Sequence, residues 1–238
     1  MHRKHPILSS SGLFWRGVTS SGMFVCILLA PIALGAAMRF GLPLVYQRWP
    51  QTGILKDYTP LMDGLLLLLT PYLTLFASAL VTLEERDNGI CLALTVTPLG
   101  PRGYLVSRFL LPGALAAVYT MVVGLIFSQV GRPLWHTALL AIPAAFVALW
   151  ALAPIPARAR DKISGMAMGK VCSLWILSVA LPFFLPWKWQ PALCWLPSYW
   201  FYRFLIWPDW LMAVLCVACA LLWCALFYRS FRRRLARG

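Results

Sequence analysis

Glu84-Glu85-Arg86-Asp87-Asn88-Gly89 runs on through Ile90-Cys91-Leu92-Ala93-Leu94-Thr95-Val96-Thr97-Pro98-Leu99 to Tyr104 and Arg108, between two long apolar segments. It holds three of the chain's seven acidic residues. Carboxylates are expensive in hydrocarbon, so these groups must sit at a membrane surface or be buried in a protein contact. The flanking apolar segments then read as helices that end here. The stretch itself, closed by Pro98, reads as a compact helix offered to a partner.

Composition agrees with a membrane chain. Of 238 residues, 61% are hydrophobic and only 12% charged, with a mean hydropathy of +0.76. A soluble domain is nearer 45–50% apolar and about a quarter charged. A helix crossing the hydrocarbon needs about 20 mostly apolar residues. The apolar segments predict six: Gly22–Met38, Leu61–Leu83, Tyr104–Gln129, Leu134–Pro154, Val171–Leu185 and Trp210–Tyr228. The fold class expected is therefore all-α and polytopic, a single transmembrane domain over residues 1–238.

The connections carry the remaining features. Residues 1–21 place Leu13, Phe14 and Trp15 beside Arg16, either a short interfacial helix or a frayed end. No short apolar stretch with a cleavage site follows the basic Met1–His5, which argues against a cleaved signal. Arg39 to Pro60 is polar and punctuated by Pro43, Pro50, Gly53 and Pro60, too irregular for lipid. Residues 155–170 read as a second polar loop. Residues 186–208 hold five tryptophans and four prolines. Trp and Tyr favour the headgroup level, so this segment reads as short re-entrant or interfacial helices.

The net charge of +14 does not point to nucleic acid, because the basic residues are mostly scattered beside apolar segments, with one cluster at the C-terminus. Fifteen of the 21 lie in the N-terminus, the 84–108 stretch, the 155–170 loop and the tail; six lie in the alternate connections (Arg39, Arg48, Lys56, Arg132, Lys188, Arg203). That bias places both termini in the cytoplasm.

Signatures of chemistry are missing. The chain has no G-x-x-x-x-G-K-[ST] loop, no H-E-x-x-H and no G-x-S-x-G elbow. No ionisable residue falls at the centre of a predicted span, which argues against proton coupling. Asp63 and His136 sit at span ends, where interfacial or structural roles are expected. The seven cysteines are odd in number and mostly inside apolar runs; Cys216 and Cys219 lack the further ligands that a zinc site needs. Glu84 and Glu85 are expected to pair with Arg158 or Arg160, or with a partner's basic groove. Asp87 and Asn88 are expected to cap a helix starting near Gly89.

Glu85-Arg86-Asp87-Asn88-Gly89, with Leu92, Leu94, Thr97-Pro98-Leu99 and Tyr104-Leu105, resembles the cytoplasmic signature of type 2 permeases of ATP-binding-cassette exporters. Asp161 to Lys170 and Pro197-Ser198-Tyr199-Trp200 resemble two further segments of that family. The likeness is greatest to small bacterial drug-export permeases. It implies a coupling helix within residues 84–103, with Glu84, Glu85, Asp87, Gly89, Leu94 and Pro98 facing a separate ATPase. ATP and magnesium would then bind the partner, and this chain would hold no cofactor and no catalytic site. It also implies an inner-membrane location, a second permease copy or a sister permease, and a substrate path along the second and fifth spans. Thr70, Tyr72, Thr74, Ser78, Ser173 and Ser178 are the polar atoms there, sparse enough to suit a hydrophobic or amphipathic compound. Other cargoes of the same family (haem, polysaccharide, peptide) and a membrane enzyme or scaffold are the alternatives.

Overall fold

The computed structural model describes residues 22–49, 56–89 and 106–235, and the described residues form helices and short connections without a strand. The interfacial helix expected before Gly22 and most of the expected coupling helix, with Leu94 and Pro98, lie outside them.

Among the described residues, six helices are long and apolar enough to cross a membrane. The first is compound: α1 (Gly22–Ala36), a π-turn (Ala37–Gly41) and α2 (Leu42–Arg48). Next come α3 (Thr59–Asp87) and α4 (Leu111–Phe127), the latter entered through a π-turn at Val106–Leu110. The fourth span is α5 (Leu134–Leu152), followed by the short α6 (Pro154–Arg158). The fifth is α7 (Lys162–Leu177), prolonged by a 3-10 turn into α8 (Leu181–Phe184). A 3-10 segment (Trp187–Leu193) and α9 (Pro197–Ile206) precede the sixth, α10 (Trp210–Leu235).

Three boundaries differ from the sequence expectation. The first span does not end at Met38. Pro43 falls in the first turn of α2, where its missing N–H is no loss, and Arg39 sends its guanidinium 2.9 Å to the Ser128 carbonyl. The 155–170 stretch is not a loop, since α7 begins at Lys162. There Asp161 accepts from the Ser164 backbone N–H at 2.8 Å and the Ser164 hydroxyl returns the bond, a reciprocal cap. The sixth span runs past Tyr228 to Leu235, carrying the arginine tail with it.

Spans 2 and 4 occupy the middle. Of their apolar windows, 78% and 67% are buried in protein, against 11% for spans 1 and 6. Lipid tails are as apolar as leucine, so helices in a membrane are held by close packing rather than by exclusion of water. The sequence provides for this with small residues. Ala141, Ala144, Ala145, Ala148 and Ala151 line the buried face of α5. Gly165 and Gly169 bring α7 against α3, and a Cβ added at either would come within 2.3 Å of Leu83 or Phe76.

Three threonines of α3 are satisfied locally. Thr70, Thr74 and Thr82 each return a hydroxyl hydrogen bond to the carbonyl four residues back.

Candidate functional site

The end of α3 is where charge gathers. Successive residues on a helix point about 100° apart, so Glu84 and Glu85 face different neighbours. Glu84 takes an ion pair from Lys162 Nζ at 2.8 Å, at the first residue of α7. Glu85 receives a forked bond from Arg108, with Nη2 at 2.6 Å and Nε at 2.8 Å. This pair is largely out of solvent, its side chains 1% and 14% exposed. The partners described for these acids are Lys162 and Arg108, where Arg158 or Arg160 was expected. The Arg160 carbonyl instead accepts from Arg86 Nη2 at 2.7 Å, as does the Ala159 carbonyl at 2.6 Å. Helical phase explains the difference, because the turn containing Arg158 and Arg160 presents its backbone to Arg86, and Lys162 falls opposite Glu84.

Asp87 also acts differently from expectation. It is the last residue of α3, and its carboxylate accepts from the Lys162 backbone N–H at 2.9 Å. A helix start leaves such N–H groups without internal partners and favours negative charge, so Asp87 serves the start of α7. Asn88 is the C-cap of α3, and Gly89 follows with φ +72°, a left-handed conformation that ends the helix and redirects the chain.

Three spans are thus tied at one end. Ser78 adds a further tie by donating 2.7 Å to the Arg108 carbonyl. Asp161 lies beside this junction, fully exposed, and its carboxyl is held below the usual carboxylate range by the hydroxyl and N–H of Ser164.

A cleft of about 550 Å³ opens between span 1, α3 and α7. Of the six hydroxyl residues expected along a substrate path, Tyr72 and Ser173 stand on its wall, among Leu34, Leu65, Leu69 and Leu177. Both hydroxyls are engaged, Tyr72 with the Gly169 carbonyl at 2.6 Å and Ser173 with the Lys170 carbonyl at 2.7 Å. The wall offers hydrocarbon, with little polar surface. Thr70, Thr74 and Ser78 are buried with their hydroxyls spent on backbone, and Ser178 lies 2.6 Å from Ser198 of α9.

At the opposite end, Asp63 is 1% exposed and fully answered. Its carboxylate accepts from the Ser128 hydroxyl, the Gln129 and Val130 N–H groups and Arg132 Nη1, all within 3.2 Å. Burial lowers the Arg132 pKa, and Asp63 opposes that shift. His136 Nε2 donates to the Phe204 carbonyl at 2.8 Å, so this buried histidine is structural. Arg203 is held between the rings of Trp187 and Trp207, 4.7 and 4.9 Å from their centroids.

Sequence reading missed Arg108, Lys162 and the glycine contacts. Gly165-x-x-x-Gly169 was legible as a small-residue spacing that lets helices approach. The partners of Glu84 and Glu85 had no comparable signal. Among the described residues, no group of acids, histidines and cysteines is arranged to hold a metal.

A family model described as "Fluoroquinolones export permease protein Rv2686c-like" matches residues 14–228, a range that takes in five spans and the sixth as far as Tyr228. Neither the curated proteins nor the solved structures give a match.

Proposed function

The chain belongs to the Rv2686c-like family of fluoroquinolone export permeases, and from that premise we propose that it is the membrane-spanning half of an ATP-driven drug exporter. It is a multi-pass membrane protein. In our reading it sits in the inner membrane with both termini in the cytoplasm. A separate ATP-binding-cassette ATPase, carrying the ATP and magnesium, grips residues 84–103. A second permease, identical or a sister, completes the path. The cargo is amphipathic or hydrophobic, and a fluoroquinolone is the first compound to try.

The observation that carries this reading is the junction of Glu84, Glu85, Arg86 and Asp87 with Arg108 and the start of α7. A push on the segment after Gly89 would reach spans 2, 3 and 5 together instead of bending one helix. Rigid-body alternation between two states needs such shared load. The apolar cleft beside Tyr72 lies along two of those spans and provides a surface on which a hydrophobic compound can rest.

The test is co-purification from the native host through a C-terminal tag, with drug accumulation measured in the same cells. We expect an ATP-binding-cassette ATPase to co-elute, and its yield to fall when residues 90–99 are scrambled in a still-folded protein. Cells lacking the permease should retain more fluoroquinolone. A chain that elutes without an ATPase, or unchanged accumulation, would overturn the proposal.

A further inference from the structure

Span 1 is fixed along its first half. Phe24 is buried against Ala77, Leu80 and Val81 of α3, and the Tyr119 hydroxyl of α4 donates 2.6 Å to the Leu28 carbonyl. Gly35 closes this region, since a Cβ added there would stand 2.8 Å from the Phe127 ring. At Gly41, by contrast, an added Cβ meets nothing within 4 Å. Between the two glycines lies most of the π-turn Ala37–Gly41, and neither the turn nor α2 contains a buried residue. A π-turn departs from the i→i−4 ladder, so bending concentrates there. Glycine gives up the most backbone freedom by staying helical, which makes Gly41 the easiest place to bend.

The turn is held from outside by Arg39, whose guanidinium donates 2.9 Å to the Ser128 carbonyl. Ser128 is itself anchored, because its hydroxyl donates 2.7 Å to the buried Asp63, which also takes Arg132 at 3.0 Å. Arg39 is exposed, and a hydrogen bond exchanged with water contributes modestly to the net energy. Tyr46 of α2 makes a second surface contact, with Lys56 Nζ 5.7 Å from its ring centroid. The bending point also falls on the cleft beside Tyr72. Leu34 before the turn, Met38 in it and Leu42 after it line that cleft together with Leu69, Tyr72 and Leu177.

We propose that α2 is a flap on the Tyr72 cleft, swinging about the π-turn at Gly41 and latched shut by Arg39 onto the Ser128–Asp63–Arg132 group. Closed, Met38 and Leu42 complete the apolar wall. Open, they withdraw, and the cleft communicates with the membrane end opposite the Glu84–Asp87 junction. The proposal rests on the reading of this cleft as the resting place of the cargo, and it adds the route by which cargo leaves.

The test uses the full-length Leu69→Cys protein in lipid nanodiscs with a water-soluble thiol reagent, and mass spectrometry of its peptides follows the labelling rate at each position. Leu69 is half-buried in the cleft wall, so labelling there reports opening. With Arg39→Gln added, we expect labelling about fivefold faster, the shift that losing one such hydrogen bond gives. With Gly41→Ala added instead, we expect it about fivefold slower, since alanine favours the helical turn and meets no neighbour. The buried native Cys172 should react at one rate in all three proteins. An unchanged rate at position 69 in either added variant, or a change matched at Cys172, would overturn the proposal. Neither drug nor ATPase takes part in the labelling, so it can fail while co-purification and drug accumulation succeed, and succeed while they fail.

Discussion

Arg108 and Glu85 close a forked ion pair that is largely out of solvent, whereas Lys162 and Glu84, the adjacent acid, are 31% and 45% exposed. The two pairs should respond differently to mutation. Removing one partner of a buried pair leaves an uncompensated charge and costs about 3–5 kcal/mol. Arg108→Ala should therefore lower the thermal midpoint of the purified protein sharply, with much of the loss recovered when Glu85→Leu is added. Lys162→Met should change stability by under about 1 kcal/mol, since an exposed pair gains little net energy. An equal loss in both single variants would contradict this division. Asp161 sets a pH dependence whose sign is fixed. Its folded pKa is depressed by Ser164, so the stability it lends α7 is present above the ordinary carboxylate pKa. That stability is lost as the pH falls through the depressed value. A thermal midpoint followed into acid should drop more in the native chain than in Asp161→Ala; parallel curves would show that the cap contributes nothing. Gly89 gives the gentlest probe of the segment beyond it, since no atom lies within 4 Å of an added Cβ and only its left-handed backbone resists. Gly89→Ala should reduce drug export while leaving the helical bundle's stability within about 1–2 kcal/mol of the native value.

The contact of α3 with α7 is where helices come closest. Gly169 faces Phe76, whose ring is stacked parallel to Tyr72, and Tyr72 is itself bonded to the Gly169 carbonyl. Phe76 has little freedom to move aside. Gly165 faces the flexible end of Leu83, which can turn away. Gly169→Ala should thus destabilise by about 1–3 kcal/mol, as overpacked cores do, and Gly165→Ala by less. Thermal unfolding of both variants in detergent checks the order, and a reversed order would mean that Phe76 yields more easily than Leu83. Here the sequence was only half read. Polar Lys162, Ser164 and Lys170 among residues 155–170 suggested a loop, yet Asp161 and Ser164 form a helix cap and the glycines give the helix a packing face. Polar residues at the membrane end of a helix look like a loop until the neighbour they serve is known.

Spans 2 and 4 form the middle of the molecule, and spans 1 and 6 present most of their surface to lipid or to another subunit. Orientation belongs to this scale. Cysteines introduced at Asp57 and Arg160, both exposed, should react with membrane-impermeant reagents from outside and inside respectively, measured against the unaltered chain. The reverse pattern would overturn the orientation drawn from Lys and Arg. Six helices and their order were plain in the sequence, because twenty apolar residues in a row have few other fates. The helix ends at Asp87 and Gly89 were marked by charge and glycine. The sequence could not choose which basic residue meets Glu84 and Glu85, nor that Thr70, Thr74 and Ser78 turn from the Tyr72 cleft while Ser173 lines it. Those outcomes depend on the rotation of each helix about its own axis. Hydrophobicity is nearly uniform around these spans, so that rotation is set by glycines, caps and ion pairs that meet only when the helices pack.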